Sequence, residues 1–294
     1  MLDYKLIEAL AVVIQESGFE RAAKALNITQ SAVSQRVKLL EEQVGQILLA
    51  RTSPPRATPP GKRMLKHYLQ VKHLEQDLQE TLKSSADRAF TTIAVGINAD
   101  SLATWFPEAI GPLLHEERIV LDIRTDDQDQ THRMLRDGEV VGCISTQAQA
   151  LQGCRSVHLG QMIYGLFATP AFAKKWFPQG VTPAAVIQTP ALIFNRKDRL
   201  HARLFRRAFG EVPDPLPTHY IPSSEKFADF IAMGLGYGML PPQQSDPFVR
   251  SGQIIELIPK HKVPVDLYWQ CWKLKSALLE KLTRQLVRGA KTLL

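Results

Sequence analysis

The stretch from Glu20 to Arg51, ERAAKALNITQSAVSQRVKLLEEQVGQILLAR, constrains this chain more than any other part of it. Ala22, Ala23 and Leu26 share one side of a short helix running from about Glu20 to Leu26. Asn27, Ile28 and Thr29 interrupt that helix, and the Thr29 hydroxyl is suited to accept an orphan amide at the start of the next one. Val33, Val37, Leu40 and Val44 then recur at spacings of four, three and four, which is one buried helical stripe. The opposite face carries Gln30, Ser31, Ser34, Gln35 and Lys38, with no bulky apolar residue and no acid. Gln can pair bidentately with adenine, and Ser can serve donor or acceptor edges. The arrangement predicts a helix-turn-helix whose second helix enters the major groove of double-stranded DNA.

The charge distribution agrees. Ten Lys or Arg residues lie between Arg21 and Lys72, against two acids, Glu41 and Glu42. The whole chain carries +7, so the remainder is close to neutral and the excess sits beside the reading helix. An unmixed basic surface is the footprint of phosphate contact. Past the reading helix, Gln46 to Thr58 holds Arg51, the Pro54-Pro55 break and Arg56, which predicts a two-stranded wing with both arginines near the DNA backbone. From Thr58-Pro59-Pro60-Gly61 a long helix begins, with proline in its first turn where the missing amide costs nothing. Tyr68, Val71, Leu74 (or Glu75), Leu78 and Leu82 form an interrupted stripe with no sequence neighbour to cover it, the mark of a linker helix that pairs two chains.

These residues resemble the LysR-type transcriptional regulators. The resemblance rests on Ala22-Ala23, Gln30-Ser31-Ala32-Val33-Ser34, Leu39-Leu40-Glu41, Gly45, Leu48 and Arg51-Thr52. Glu20 departs from the hydroxyl residue common at that position, and a carboxylate at a helix start is a tolerable replacement. The DNA-facing set is therefore Arg21, Thr29, Gln30, Ser31, Ser34, Gln35, Lys38, Arg51 and Arg56. A palindromic operator, a homodimer or homotetramer and contact with RNA polymerase are what the resemblance implies.

Beyond Ser84–Arg88, a polar break, strands and helices alternate: Ile93–Ile97, Val120–Arg124 and Val140–Ser145, then Tyr164–Ala168, Ala191–Phe194, His219–Ile221 and Gly236–Leu240. This is an α/β rhythm in two series. Val265–Trp272 and a last helix from Ser276 have no sheet of their own, and the resemblance implies that they cross back to the first half. The expected architecture is an N-terminal all-α winged helix-turn-helix with a linker helix, followed by a C-terminal α/β two-lobed effector domain like that of periplasmic binding proteins. Residues 1–58 form the DNA-binding domain, 59–88 the linker and dimerisation helix, and 89–294 the effector domain. Lobe I covers about 92–163 and 269–294, and lobe II about 164–268.

Open α/β sheets bind ligands at the carboxyl ends of their strands, beside helix N-termini. Those ends hold Asn98, Asp100, Ser101, Asp127, Ser145, Thr146, Asn195, Ser223, Ser224 and Glu225. Hydroxyls and amides suit a carboxylate, and the acids suit an amine or guanidinium, so the set describes a basic amino acid. Asn98–Trp105, Gly138–Gly142 and Leu267–Tyr268–Trp269 resemble the arginine- and lysine-responsive branch of the family. Arg196-Lys197-Asp198-Arg199 is more basic than a cation site wants.

Enzyme chemistry finds little support. Gly234-Leu235-Gly236-Tyr237-Gly238 precedes a strand and is not a dinucleotide fingerprint, and neither a P-loop, H-E-x-x-H nor G-x-S-x-G occurs. The eight His and three Cys lack metal spacing, so no catalytic residue, metal or cofactor is expected. Cys143, Cys154 and Cys271 read as reduced thiols of a cytoplasmic protein. Asp3 and Glu8 interrupt what would be a leader's apolar core, and no run is long enough to span a membrane. The competing reading is a solute-binding protein or small-molecule enzyme fused to a DNA-binding domain.

Overall fold

The computed structural model describes residues 3–82, 90–126 and 128–294. Asp127 and the polar break at Ser84–Arg88 lie outside the described residues.

Helix α1 (Tyr4–Gln15) starts on Asp3, whose carboxylate accepts the Lys5 amide at 2.9 Å. It buries Leu6, Ile7, Leu10 and Val13. Gly18 caps the start of the next helix, α2 (Phe19–Leu26), and the left-handed turn between the two falls on Ser17, φ 52°. Asn27 takes the left-handed cap of α2, φ 53°, a conformation its short polar side chain tolerates. Helix α3 (Gln30–Val44) opens with Thr29 Oγ1 accepting the Ala32 amide at 3.2 Å and closes on Gly45 at φ 68°. Strands β1 (Leu49–Ala50) and β2 (Arg56–Ala57) form the expected antiparallel wing. Glu41 Oε1 accepts the amides of Leu48 and Leu49, which ties the wing's base to α3.

Helix α4 (Pro59–Leu82) crosses this base so closely that a Cβ on Gly61 would collide with the Leu48 carbonyl. Its stripe divides. Leu65 and Tyr68 are buried in the core of their own DNA-binding domain, against the expectation that Tyr68 begins a surface for a second chain. Their turns lie over α1, which supplies the apolar neighbour that the sequence alone did not reveal. Leu74, Leu78 and Leu82 remain 39%, 60% and 77% exposed.

The C-terminal part runs β3 (Thr91–Asn98), α5 (Ala99–Ala103), α6 (Phe106–Glu116), β4 (Ile119–Asp126), α7 (Gln128–Asp137) and β5 (Gly142–Ser145). Next come β6 (Cys154–Ala168), α8 (Pro170–Trp176), α9 (Pro183–Val186), β7 (Ala191–Ile193), α10 (Leu200–Phe209) and β8 (Thr218–Tyr220). The chain ends with α11 (Ser224–Ala232), β9 (Tyr237–Leu240), α12 (Pro242–Arg250), β10 (Ile255–Glu256), β11 (Val263–Trp272) and α13 (Ala277–Leu293). The strand order is β4-β3-β5-β11-β6-β9-β7-β8, with β10 on β6. Each half has a parallel pair system, β4-β3-β5 and β8-β7-β9, and antiparallel β6 and β11 run through both.

Strand β6 begins at Cys154, ten residues before the expected start at Tyr164. The pairing of β6 with β11 slips between Leu267 and Tyr268, opposite Gly160, and the two lobes part at that bulge. Helix α13 packs on α6 and so belongs to the first lobe. This is the two-lobed effector fold that the sequence predicts, and the end of β3 in one half meets the start of α11 in the other where Ser224 bonds Asp100.

Candidate ligand cleft and DNA-reading surface

On the DNA-binding domain, Thr29, Gln30, Ser31, Ser34, Gln35 and Lys38 are all exposed along α3, while Val33, Val37 and Leu40 are buried beneath. The helix therefore offers a polar ridge backed by a fixed apolar one. Arg51 and Arg56 stand exposed at the wing. Arg21 donates to the Ser17 carbonyl at 3.0 Å, so its guanidinium braces the turn before α2 while staying at the surface. Lys38 pairs with Glu42 at 3.6 Å across one helical turn, a solvent-exposed contact of little stabilising value.

In the cleft, Asp100 sits in the first turn of α5, just past the end of β3. Tyr164 donates its phenol hydrogen to Asp100 Oδ2 at 2.6 Å, and Ser224 donates its hydroxyl to Oδ1 at 2.6 Å. One carboxylate thus joins the first lobe to both β6 and the start of α11. Gln244 of α12 holds Ser224 in turn, donating to its carbonyl at 2.8 Å and its hydroxyl at 3.1 Å. Asp198 faces the same region, with its oxygens accepting the amides of Leu200 at 2.8 Å and Phe194 at 3.4 Å. Burial pushes the pKa of both carboxyls up, only partly offset by these bonds, and the Asp198 charge pushes Asp100 further. Among the described residues no Lys or Arg forms an ion pair with either one.

The other cleft residues divide into groups. Asn98 Oδ1 and Ser101 Oγ are buried without a hydrogen-bond partner, as is Trp105 Nε1. Ser145 Oγ accepts the Gln147 amide at 3.1 Å, and Thr146 is half-buried beside it. Asn195 Oδ1 accepts the amides of Lys197 and Asp198, a turn that aims Asp198 inward. Ser223 occupies the cap position of α11 without a side-chain bond to the helix. Glu225 is exposed, and Ser224, one residue earlier, is the member of that turn that meets Asp100. Arg196, Lys197 and Arg199 are exposed, with the Arg196 guanidinium 4.8 Å from the centre of the Tyr220 ring. The basic run therefore surrounds Asp198 in sequence while its cations stand at the surface.

Tyr164, Gln244 and Gln270 join these residues, although Tyr164 and Gln270 lie inside strands rather than at a strand end beside a helix start. Gln270 donates to the carbonyls of Gln147 at 2.6 Å and Gln149 at 3.0 Å, fixing the loop after β5. A polar side chain inside an apolar strand is the only signal the sequence holds for Tyr164 or Gln270.

Behind the cleft, His201 is 3% exposed, with both ring nitrogens unpartnered, among Phe205 and Tyr237. Burial lowers its pKa from 6.5 to about 4. The unfolded chain then binds the proton that the folded chain refuses, so stability rises with pH across that window and is lost as pH falls through it. The free energy of unfolding from urea titrations should drop between pH 6.5 and pH 4, by an amount on the order of 3 kcal/mol in total. His201→Phe should remove that share of the slope, and an unchanged pH profile in that variant would show that His201 does not cause it.

A polar reading helix on a basic domain, joined to a two-lobed domain with a polar cleft, defines a DNA-binding regulator that answers to a small ligand. Residues 4–62 match the bacterial regulatory helix-turn-helix protein, lysR family, and residues 87–290 match the LysR substrate binding domain. The chain belongs to the LysR family of transcriptional regulators. It is 42% identical over 286 residues to the HTH-type transcriptional regulator ArgP of Aeromonas salmonicida, covering 97% of this chain and 96% of that protein. The crystal structure of ArgP from Mycobacterium tuberculosis superposes with a TM-score of 0.91 at 37% identity, over 100% of this chain and 99% of the other. Full-length LysG from Corynebacterium glutamicum with bound effector Arg gives 0.80 at 33% identity, over 99% of each chain. No helix among the described residues is long and apolar enough to cross a membrane.

Proposed function

We propose that this regulator senses a basic amino acid, arginine or lysine, and that binding changes its hold on a palindromic operator. The observation that carries the reading is the pair of half-buried carboxylates, Asp100 and Asp198, with no protein cation paired to them among the described residues. Uncompensated buried charge is costly, and a cationic ligand offsets it. The α-carboxylate meets the Ser101 hydroxyl, buried without a partner, and the hydroxyls of the Ser145–Thr146 turn, while Asn98 Oδ1, an unpartnered acceptor, suits the α-ammonium. The ammonium or guanidinium reaches Asp100 and Asp198. The arginine in the LysG structure supports this choice of ligand class.

On DNA, Gln30, Ser34 and Gln35 read base edges, with Thr29, Ser31 and Lys38 beside them. Arg21, Arg51 and Arg56 serve the phosphates. The chain acts in the cytoplasm as a homodimer or homotetramer, contacts RNA polymerase, and controls genes for export or metabolism of basic amino acids.

Calorimetry of the full-length protein with arginine, lysine, glutamine and glutamate tests the ligand. One or both basic amino acids should bind below millimolar concentration, and the other two should give no heat. Silence from both basic amino acids would remove this ligand class.

A further inference from the structure

The linker helix meets the effector domain through few contacts. Among the described residues, Leu69 alone packs partly buried against both the DNA-domain core and the effector core. Beside it lies a cavity of about 800 Å³, whose walls include Lys62, Lys72, Asp122 and Arg124. Apolar packing therefore holds these two bodies weakly, as in many interfaces between domains of one chain, and individual polar bonds decide their relative position.

Those bonds lie at two ends of the contact. At one, Lys62 pairs with Asp137 at the end of α7. Gly138 follows at φ 83°, and a Cβ there would lie 2.7 Å from Lys66 Cα, so the loop rests directly on the α4 backbone. At the other end, Asp77 Oδ2 accepts the Ala277 amide at 2.9 Å, and His73 Nε2 shares a hydrogen with Ser276 Oγ at 3.0 Å in a buried site. Ser276 is itself the cap of α13, accepting the Leu279 amide at 3.2 Å. Linker side chains thus complete the N-terminal cap of an effector-domain helix, and the Asp77 carboxylate faces the positive end of its dipole.

Helix α13 is in turn fused to the first lobe. It buries Leu278, Leu279, Leu282 and Leu286, and Gln285 donates to the Ala109 carbonyl at 2.7 Å.

We infer that His73, Asp77 and the Lys62–Asp137 pair are positioning residues that make the DNA-binding domain turn with the first lobe. Lobe closure on the ligand then reorients α3, whereas a chain without these bonds would let the domain swing free. The assignment rests on the effector reading above for its trigger but not for its geometry. It is a claim about a two-position contact whose equilibrium the ligand biases, so it needs a coupling measurement.

The test is the double variant Asp77→Ala/Asp137→Ala, which leaves every proposed ligand and DNA contact in place. Its affinity for arginine or lysine should match wild type by calorimetry, and its operator affinity without ligand should stay within twofold. The ligand-dependent change in operator affinity should fall to within twofold of none. In the single-site series, Asp77→Asn keeps a carbonyl acceptor for the Ala277 amide and should restore the coupling that Asp77→Ala loses. A double variant that keeps the wild-type response overturns the inference.

If calorimetry shows that neither amino acid binds wild type, that failure belongs to the effector reading, and the clasp is judged without ligand. Spin labels at Gln43→Cys and Glu116→Cys in a Cys154→Ser background, with labelled chains diluted into unlabelled ones, report the angle between domains. Wild type should give one narrow distance and the double variant a broad one. A broad distance in wild type, or no change in the variant, overturns it.

Discussion

Asp100→Asn should abolish the response to a basic amino acid while leaving ligand-free operator binding intact. The substituted amide can still accept from Tyr164 or Ser224, so the bonds across the cleft are rearranged rather than erased. What disappears is the negative charge. Breaking a buried ion pair by removing one partner costs about 3–5 kcal/mol, so affinity should fall by roughly a hundredfold or more. The same change should leave the ligand-free protein as stable as wild type or more so. Burial raises the pKa of this carboxyl, so the folded state holds its proton more tightly than the unfolded state. Stability is then lost as pH rises from the ordinary carboxylate range through the raised value, and the penalty persists at neutral pH. Removing the ionisable group relieves it, a trade of stability against function common at binding sites. Calorimetry and thermal unfolding of the same two proteins check both halves. Unchanged arginine and lysine affinity in Asp100→Asn would exclude this carboxylate as the cation's partner.

The parts that were legible in sequence are those whose physics is local. The reading helix announces itself within fifteen residues, because a stripe of Val33, Val37 and Leu40 fixes which side faces out. Asp100 could be chosen because it follows a strand end at a helix start, where function gathers in this class of sheet. Its partners could not. Tyr164 is 64 residues away and Ser224 is 124 away, and only the crossing of β6 and the packing of α11 bring them to one carboxylate. At the start of α11 the sequence offers Ser223, Ser224 and Glu225 alike, and the phase of one helical turn decides that Ser224 points inward while Glu225 meets solvent. Phase also resolves the run from Arg196 to Arg199. Asn195 turns the backbone so that Asp198 is directed inward and its basic neighbours outward, a sorting that composition cannot express. The linker stripe is apolar as its sequence indicates, but its first turns do not await a second chain, because α1, far away in sequence, covers them.

The uncovered turns carry the other large expected effect. Leu74, Leu78 and Leu82 are 39%, 60% and 77% exposed on one line of α4, beyond the reach of the DNA-domain core. A second copy of the helix, related by twofold symmetry, covers such a line with its own identical residues. Burying one leucine side chain contributes about 1.5–3 kcal/mol, and a symmetric pair doubles each contribution. Leu74→Glu/Leu78→Glu removes these terms and places like charges across the axis, so association at micromolar concentration should be lost. The monomer retains the α3 surface, whose residues lie on another domain, and should keep its helical content. It loses the tethering that converts the second half-site contact into an intramolecular step, an advantage of about 10²–10⁴ in binding to a palindrome. Sedimentation and operator titration of wild type and variant measure the two consequences together. A variant that still sediments with the wild type, or a wild type that sediments as a monomer, would mean that these leucines are covered by something other than a second copy of the chain.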